Sequence, residues 1–324
     1  MPTMYLEPLP QRFPIPQIDT TARWGRRTRS LQRDPSMVAL THGLWAQWDG
    51  IIAPTDLQPW EVSALIASAV PHAAVSGLCA AAALQIPLMW GMNWVDGVLG
   101  QARTWTPWNP APEIVVPNGH KLWRGNDVVV RKLAAHHTLQ SGPWGSQVTA
   151  ALPTLLALQK WQRGWRAVVA ADNVLARAVD EAGQPLQLQP GDLMAQLHGI
   201  APGTRGKALL FQALNQAAPN VWSPMETVLR LVVIKLGAPP PAHNLPVVLS
   251  SGRKVYLDLA WKQRRKALEY NGKVHHLNWR QYRDEAGRLN ELRDDGWDVR
   301  VVVMDDLQSR QRLMALRRWL RDLH

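Results

Sequence analysis

A single cysteine, Cys79, among 324 residues excludes an internal disulfide and any cysteine-cluster metal centre. It sits in an alanine-rich apolar stretch, the setting of an inert core thiol. Phenylalanine (2) and tyrosine (4) are scarce, whereas tryptophan (17) is abundant. Long hydrophobic runs are also missing. The most apolar stretch, Ile66 to Leu88, is interrupted by His72, Gln85 and two prolines, too polar and broken for a membrane span. The opening residues, MPTMYLEPLPQRFPIPQ, are broken by proline and contain no apolar h-region, so no signal peptide is expected. These absences predict a soluble, cytoplasmic protein with no membrane partner. Acidic residues are the minority sign: 25 against 36 basic residues, 27 of them arginine, for a net charge of +11. Such a balance suits a polyanionic partner, and arginine matches phosphate better than lysine does. GC-rich codon usage is the other source of an excess of Arg, Trp, Ala and Pro.

The length allows two ordinary domains. Residues 1–35 read as a proline-rich leader ending in the basic run Arg23, Arg26, Arg27, Arg29 and Arg33, either a solvated tail or a backbone-binding arm. Val62, Leu65, Ile66 and Ala69 recur at helical spacing and predict a helix over Pro59–Val70. AAVSGLCAAAALQIPL predicts a second short helix. Its Ser76-Gly77 lacks the frame of a nucleophile elbow. Residues 90–111, rich in Trp, Gly, Asn and Pro, predict an irregular loop. Glu113–Val116 and Asp127–Leu133 read as strands about the turn signal Asn118-Gly119. Val148–Arg163 and Ala167–Val179 read as helices. GIAPGTRGK (199–207) is glycine-rich but lacks a phosphate-loop frame. The short polar stretch 214–222 marks a boundary. The expected division is a leader (1–35), a mostly helical α+β domain (36–222) and an α/β domain (223–324).

Chemistry concentrates in the last segment. Ser223, Pro224 and Glu226 spell an N-cap, N1 proline and N3 acid ahead of the apolar face Leu229, Val232, Val233 and Leu236. Glu226 is explained by the cap, and it is also placed to serve a site at the helix start. In KVYLDLAWKQRRKALEYNGKVHH (254–276), Val255, Leu257 and Leu259 alternate with Tyr256, Asp258 and Ala260, a half-buried strand. Ala267–Tyr270 is a second strand, followed by the turn signal Asn271-Gly272. A hairpin centred on Gln263-Arg264 sets Asp258 and Glu269 equally far from the turn, so they oppose each other with Cβ atoms about 4.5–5.5 Å apart. Two like charges at that distance need neutralising. A hard divalent cation such as Mg²⁺ or Mn²⁺ accomplishes this. A wet surface hairpin, or pairing with Arg264 or Arg265, is the alternative. Beyond it, Tyr282, Ala286, Leu289 and Leu292 share a helical face. Asp284 and Arg288 form an i,i+4 pair. Residues 298–304 read as a strand, and Asp305 or Asp306 caps a basic last helix turned inward at Leu313, Leu316 and Leu320.

The order Glu226, Asp258-Leu-Ala-Trp, Glu269-Tyr-Asn-Gly, His276, Arg283-Asp284, Arg288, Gly296-Trp297 resembles the very-short-patch-repair (Vsr)-like branch of the PD-(D/E)XK nuclease superfamily, over about the last hundred residues. The resemblance implies a restriction-endonuclease-like mixed sheet flanked by helices. It also implies a Mg²⁺ site in which Asp258 and Glu269 hold the ion, Glu226 assists, and His275 or His276 moves a proton. The sequence departs from the superfamily two positions past the second carboxylate, where Asn271 replaces lysine or aspartate and Lys273 stands nearby. The implied DNA contacts fall on Arg264, Arg265, Arg280, Arg283 and Arg288. Upstream, VSGLCAAAALQIPL, EIVVPNG and VTAALPTLLALQ resemble the region after the winged helix of AbiEi-type antitoxins, autoregulators of toxin–antitoxin pairs; the winged helix itself is absent or reduced. The leading expectation is therefore a Mg²⁺-dependent DNA endonuclease, a hydrolase of defence or repair. The second is a catalytically weak or inactive DNA-binding regulator of antitoxin type, and the third a protein-interaction module built on the tryptophans of residues 90–123.

Overall fold

The computed structural model describes residues 4–20, 33–48, 52–95, 97–101, 110–118, 127–272 and 279–323. It is a mixed α/β chain of two compact units: residues 1–88 with 107–215, and residues 89–106 with 216–324. No helix among the described residues is long and apolar enough to cross a membrane. The basic leader from Arg23 to Arg29, and Lys273, His275 and His276, lie outside the described residues.

In the first unit, β1 (Gln17–Thr20), β2 (Met37–Thr41) and β3 (Leu44–Gln47) form a three-stranded antiparallel sheet ordered β1-β3-β2. Helix α1 (Pro59–Ala69) follows and buries Leu65 and Ile66 completely, as its apolar spacing predicts. Next are β4 (Ala74–Val75) and α2 (Gly77–Ala83). The expected irregular loop contains a hairpin, β5 (Met92–Val95) and β6 (Val98–Gln101), which belongs to the second unit. Lys235 of that unit sits 5.5 Å from the centroid of Trp94.

Strands β7 (Glu113–Val116) and β8 (Val129–Lys132) run parallel rather than as a hairpin about Asn118-Gly119. With β9 (Leu139–Ser141) and β10 (Gln147–Thr149) they complete a five-stranded sheet, β8-β7-β4-β10-β9. The first unit is thus richer in strand than expected, because its strands are too short to show a period in the sequence. Helices α3 (Ala151–Leu158), α4 (Trp165–Arg177), α5 (Pro190–His198) and α6 (Lys207–Leu214) end the unit. Its aromatic core is tied by Trp144, which stacks on Phe13 at 4.7 Å and donates its indole N–H to the Phe13 carbonyl.

The larger part of the second unit begins at Gln216, inside the boundary stretch 214–222. Its elements are α7 (Pro224–Lys235), β11 (Ala242–Val248), β12 (Lys254–Trp261), β13 (Lys266–Tyr270), α8 (Trp279–Asp294), β14 (Asp298–Val302), α9 (Met304–Gln308) and α10 (Arg310–Trp319). Strand β11 was not legible in the sequence, since Pro246 and the polar Asn244 break its pattern. It forms one edge of a four-stranded mixed sheet, β11-β12-β13-β14. The β12–β13 hairpin pairs Leu259 with Leu268, Ala260 with Ala267 and Trp261 with Lys266, the register expected from a turn centred on Gln263-Arg264. Strand β14 joins β13 in parallel, which requires the α8 crossover. Leu257, Ala267, Leu292, Trp297 and Val299 share one apolar core. The chain end splits into two helices: Asp306 accepts from the Val303 N–H to cap α9, and Ser309 caps α10. Leu313, Leu316 and Leu320 are buried as expected.

Candidate functional site

Ser223 opens α7 and its Oγ accepts from the Glu226 N–H at 3.2 Å. Glu226 is 7% exposed. Its carboxylate reaches past the cap residue and accepts from the Trp222 N–H at 3.0 Å and from Asn244 Nδ2 at 2.8 Å. The cap reading of Glu226 is therefore incomplete, because the same carboxylate is turned toward the sheet. The β11–β12 ladder pairs His243 with Leu259 and Leu245 with Leu257, so Asn244 lies opposite Asp258. The β12–β13 ladder ends at Leu259–Leu268; Asp258 and Glu269 are the next residue of each strand, near enough for the charge of Glu269 to act on Asp258. Asn244, Asp258 and Glu269 thus form a polar row across three strands, with Glu226 hydrogen-bonded at one end. Asn244 adopts φ 43°, a left-handed conformation that asparagine tolerates better than most residues. Sequence reading gave no hint of its role.

Alternation puts Val255 and Leu257 in the core and leaves Tyr256 exposed and Asp258 half-buried on the other face of β12. Asp258 Oδ2 accepts from the Tyr270 N–H at 2.8 Å. That bond is not enough to hold its proton affinity down. Burial, and next the charge of Glu269, push the Asp258 carboxyl up to about 7, with Glu226 adding to the effect. Burial also raises Glu269, against the opposing pull of Arg288.

Arg288 is the counter-ion the sequence misassigned. It does not pair with Asp284. Its guanidinium bridges Glu269 at 2.9 Å and Glu285 at 2.7 Å, with the Arg288 side chain only 14% exposed. The i,i+3 partner wins because Arg288 faces the sheet, where Glu269 supplies a second acceptor. Arg288 is consequently committed to the carboxylate cluster rather than displayed for DNA. Arg265 occupies the left-handed region at φ 47° where the hairpin turns, and its Nη1 donates to the Asp295 carbonyl at the end of α8. Arg264 and Arg283 are exposed, and the Arg280 side chain lies outside the described set. Asn271 extends the parallel ladder, its N–H donating to the Val302 carbonyl at 2.9 Å.

A carboxyl whose folded-state proton affinity is raised favours the fold at low pH and opposes it as pH rises through its folded value. The penalty builds between the ordinary carboxyl value and about 7, so in metal-free protein Asp258→Asn is expected to stabilise already at about pH 5 and by on the order of 1 kcal/mol or more beyond that at about pH 8. Urea unfolding at the two pH values checks this; equal differences at both would refute the burial argument.

No family model matches the chain, and no solved structure matches it. Two uncharacterized proteins of Mycobacterium tuberculosis, MT2308 of strain CDC 1551 / Oshkosh and Rv2248 of strain ATCC 25618 / H37Rv, are similar to it. Each is 30% identical over 115 residues, which cover 36% of this chain and 42% of the relative. The chain therefore spans about two fifths of the length of these curated relatives.

Proposed function

We propose that the second unit is a Mg²⁺- or Mn²⁺-dependent DNA endonuclease domain of Vsr-like, PD-(D/E)XK type. The observation that carries this reading is the closeness of the Asp258 and Glu269 carboxylates just past the end of the β12–β13 ladder. An aspartate pushed up to about 7 by burial and a neighbouring carboxylate is a group that a hard cation would relieve. Asp258 and Glu269 offer the hard carboxylate oxygens such an ion takes, although among the described residues no group of three or more His, Cys, Asp or Glu side chains is arranged to hold a metal. Asp258 and Glu269 would hold the ion, which supplies polarisation of the scissile phosphate and acidification of a bound water. The chain's own residues do the rest. Glu226, fixed by Asn244 and the Trp222 N–H, orients water at the rim. Arg288 limits the negative charge that an approaching phosphate meets. Arg264 and Arg283, both exposed, supply phosphate contacts on the duplex. Lys273 and His275 or His276 remain the proposed sources of positive charge and of proton transfer.

A second reading has its own support. The Arg288–Glu269 pair neutralises one carboxylate without any metal, and Asn271 replaces the charged residue of the resembled motif. Both suit a DNA-binding regulator of antitoxin type. Plasmid nicking in Mn²⁺ separates the two readings. Under the nuclease reading, Asn271→Asp or Asn271→Lys raises the single-turnover cleavage rate, by about tenfold or about 1.4 kcal/mol of barrier. A wild type and both variants that bind DNA and never cut it would leave the regulator.

A further inference from the structure

The first unit contains a cavity of about 260 Å³ remote in sequence from the carboxylate row. Its floor is apolar, supplied by Pro153 and Leu156 of α3 and Leu209 of α6. Its rim is cationic: Lys160, Arg163 and Arg205 line it, and all three are exposed. Glu113 also lines it, but that carboxylate is taken by Arg131 at 2.5 Å. Arg163 uses its Nε on the Gln159 carbonyl. Among the described residues no carboxylate pairs with Lys160 or Arg205. The cavity therefore offers net positive charge to an anion.

Three aromatic side chains, His136, His137 and Trp161, also line it, beside Arg131 and Thr204. The imidazoles of His136 and His137 lie 4.7 Å apart, centroid to centroid. His137 Nδ1 accepts from the Ala134 N–H at 2.7 Å, which fixes the Nε2–H tautomer. Burial keeps both rings below the ordinary imidazole range, so they are neutral planar surfaces rather than extra cations at neutral pH. Trp161 adds an indole at the rim, with the Lys160 ammonium 4.2 Å from its centroid.

One polar atom in this wall has no partner. Gln159 is 1% exposed. Its Nε2 donates to the Leu155 carbonyl at 3.0 Å, which orients the amide and leaves Oε1 buried with no hydrogen-bond donor. A buried, unsatisfied acceptor costs about 1–3 kcal/mol, and a ligand N–H is one way to satisfy it.

We infer that this cavity binds a nucleoside monophosphate unit, its phosphate on Lys160 and Arg205, its base among the aromatic and apolar walls with an N–H directed at Gln159 Oε1. Cationic rim, planar aromatic lining and a lone base-edge acceptor are the three demands of that ligand class, and a simple anion uses only the first. The volume lies just below the roughly 300–1,000 Å³ usual for drug-sized ligands, which suits one base with its sugar and phosphate. This inference stands apart from the endonuclease reading, because it concerns the other unit.

Titration calorimetry on the full chain in phosphate-free buffer tests it, with the four nucleoside 5′-monophosphates, ribose 5-phosphate and inorganic phosphate as probes. At least one nucleotide is expected to bind about tenfold or more tighter than ribose 5-phosphate. Lys160→Glu with Arg205→Glu should weaken that nucleotide by about tenfold or more with the melting temperature unchanged, both side chains being exposed. Gln159→Met, similar in shape but lacking the acceptor, should lower the nucleotide to the affinity of ribose 5-phosphate. A 5′-phosphorylated dinucleotide distinguishes the source of the unit: competition equal to the mononucleotide's assigns a strand terminus, and failure to compete assigns a free nucleotide. Four nucleotides no tighter than ribose 5-phosphate, or undiminished binding by the double charge reversal, would overturn the proposal.

Discussion

Purified protein incubated with supercoiled plasmid is expected to produce nicked circles in Mn²⁺ or Mg²⁺ and none in a chelator. Asp258→Ala should slow nicking by more than about a hundredfold, equivalent to roughly 2.7 kcal/mol of transition-state stabilisation. The size follows from the position of Asp258 in the middle of the polar row, between Asn244 of β11 and the Glu269 carboxylate of β13 that acts on it. Removing it deletes half of the proposed carboxylate pair and also relieves the repulsion that makes the site attract a cation. The variant should fold, because Asp258 raises the cost of the native state at neutral pH. Loss of cleavage with a preserved or higher melting temperature is thus the signature. Equal nicking by wild type and Asp258→Ala would trace the activity to a contaminant.

The second large effect concerns Arg288. Replacing it with methionine keeps the apolar stem and strips the charge from between Glu269 and Glu285. Glu269, 6% exposed, would then be a buried carboxylate beside Asp258 with no counter-ion. Breaking a buried pair on one side costs about 3–5 kcal/mol, so Arg288→Met is expected to lose roughly 3 kcal/mol at about pH 8. The loss should shrink near pH 5, since burial already raises Glu269 and protonation then discharges it. Divalent metal gives the decisive comparison. If the row binds a cation, Mn²⁺ restores more stability to the variant than it adds to wild type, because the ion replaces the missing guanidinium. If Mn²⁺ leaves both unfolding curves unmoved, Arg288 is the permanent counter-ion and the regulator reading gains.

The hairpin was legible because two independent signals agreed: strict alternation over Val255–Leu259 and a turn composition that fixed the register. Counting outward from Gln263-Arg264 gives the observed pairs as far as Leu259–Leu268, one residue short of Asp258 and Glu269. Elements with only one weak signal were lost. β11 carries Pro246 and a left-handed Asn244, so its period is broken where it matters to the site. The hairpin of Met92–Val95 with Val98–Gln101 lies inside a tryptophan-rich stretch whose bulk hid the alternation. The parallel pairing of β7 with β8 was not legible, because Asn118-Gly119 signals a turn but not the direction of the next strand. Arg288 was misassigned for a related reason. Helical spacing offers Asp284 and Glu285 equally, and only the sheet behind the helix, with Glu269 on it, makes the choice.

The parallel pairing of β13 with β14 bears on how the site is assembled. A hairpin such as β12–β13 closes through neighbours in sequence, whereas parallel strands meet only after the chain has travelled across the sheet and back. Arg288 rides on that crossover helix. During folding, the two carboxylates are brought face to face by a local event, and their neutralising charge is delivered by a non-local one. A chain cut before α8 would retain both acids and nothing to reconcile them, so completion of the topology and quenching of the repulsion are a single step.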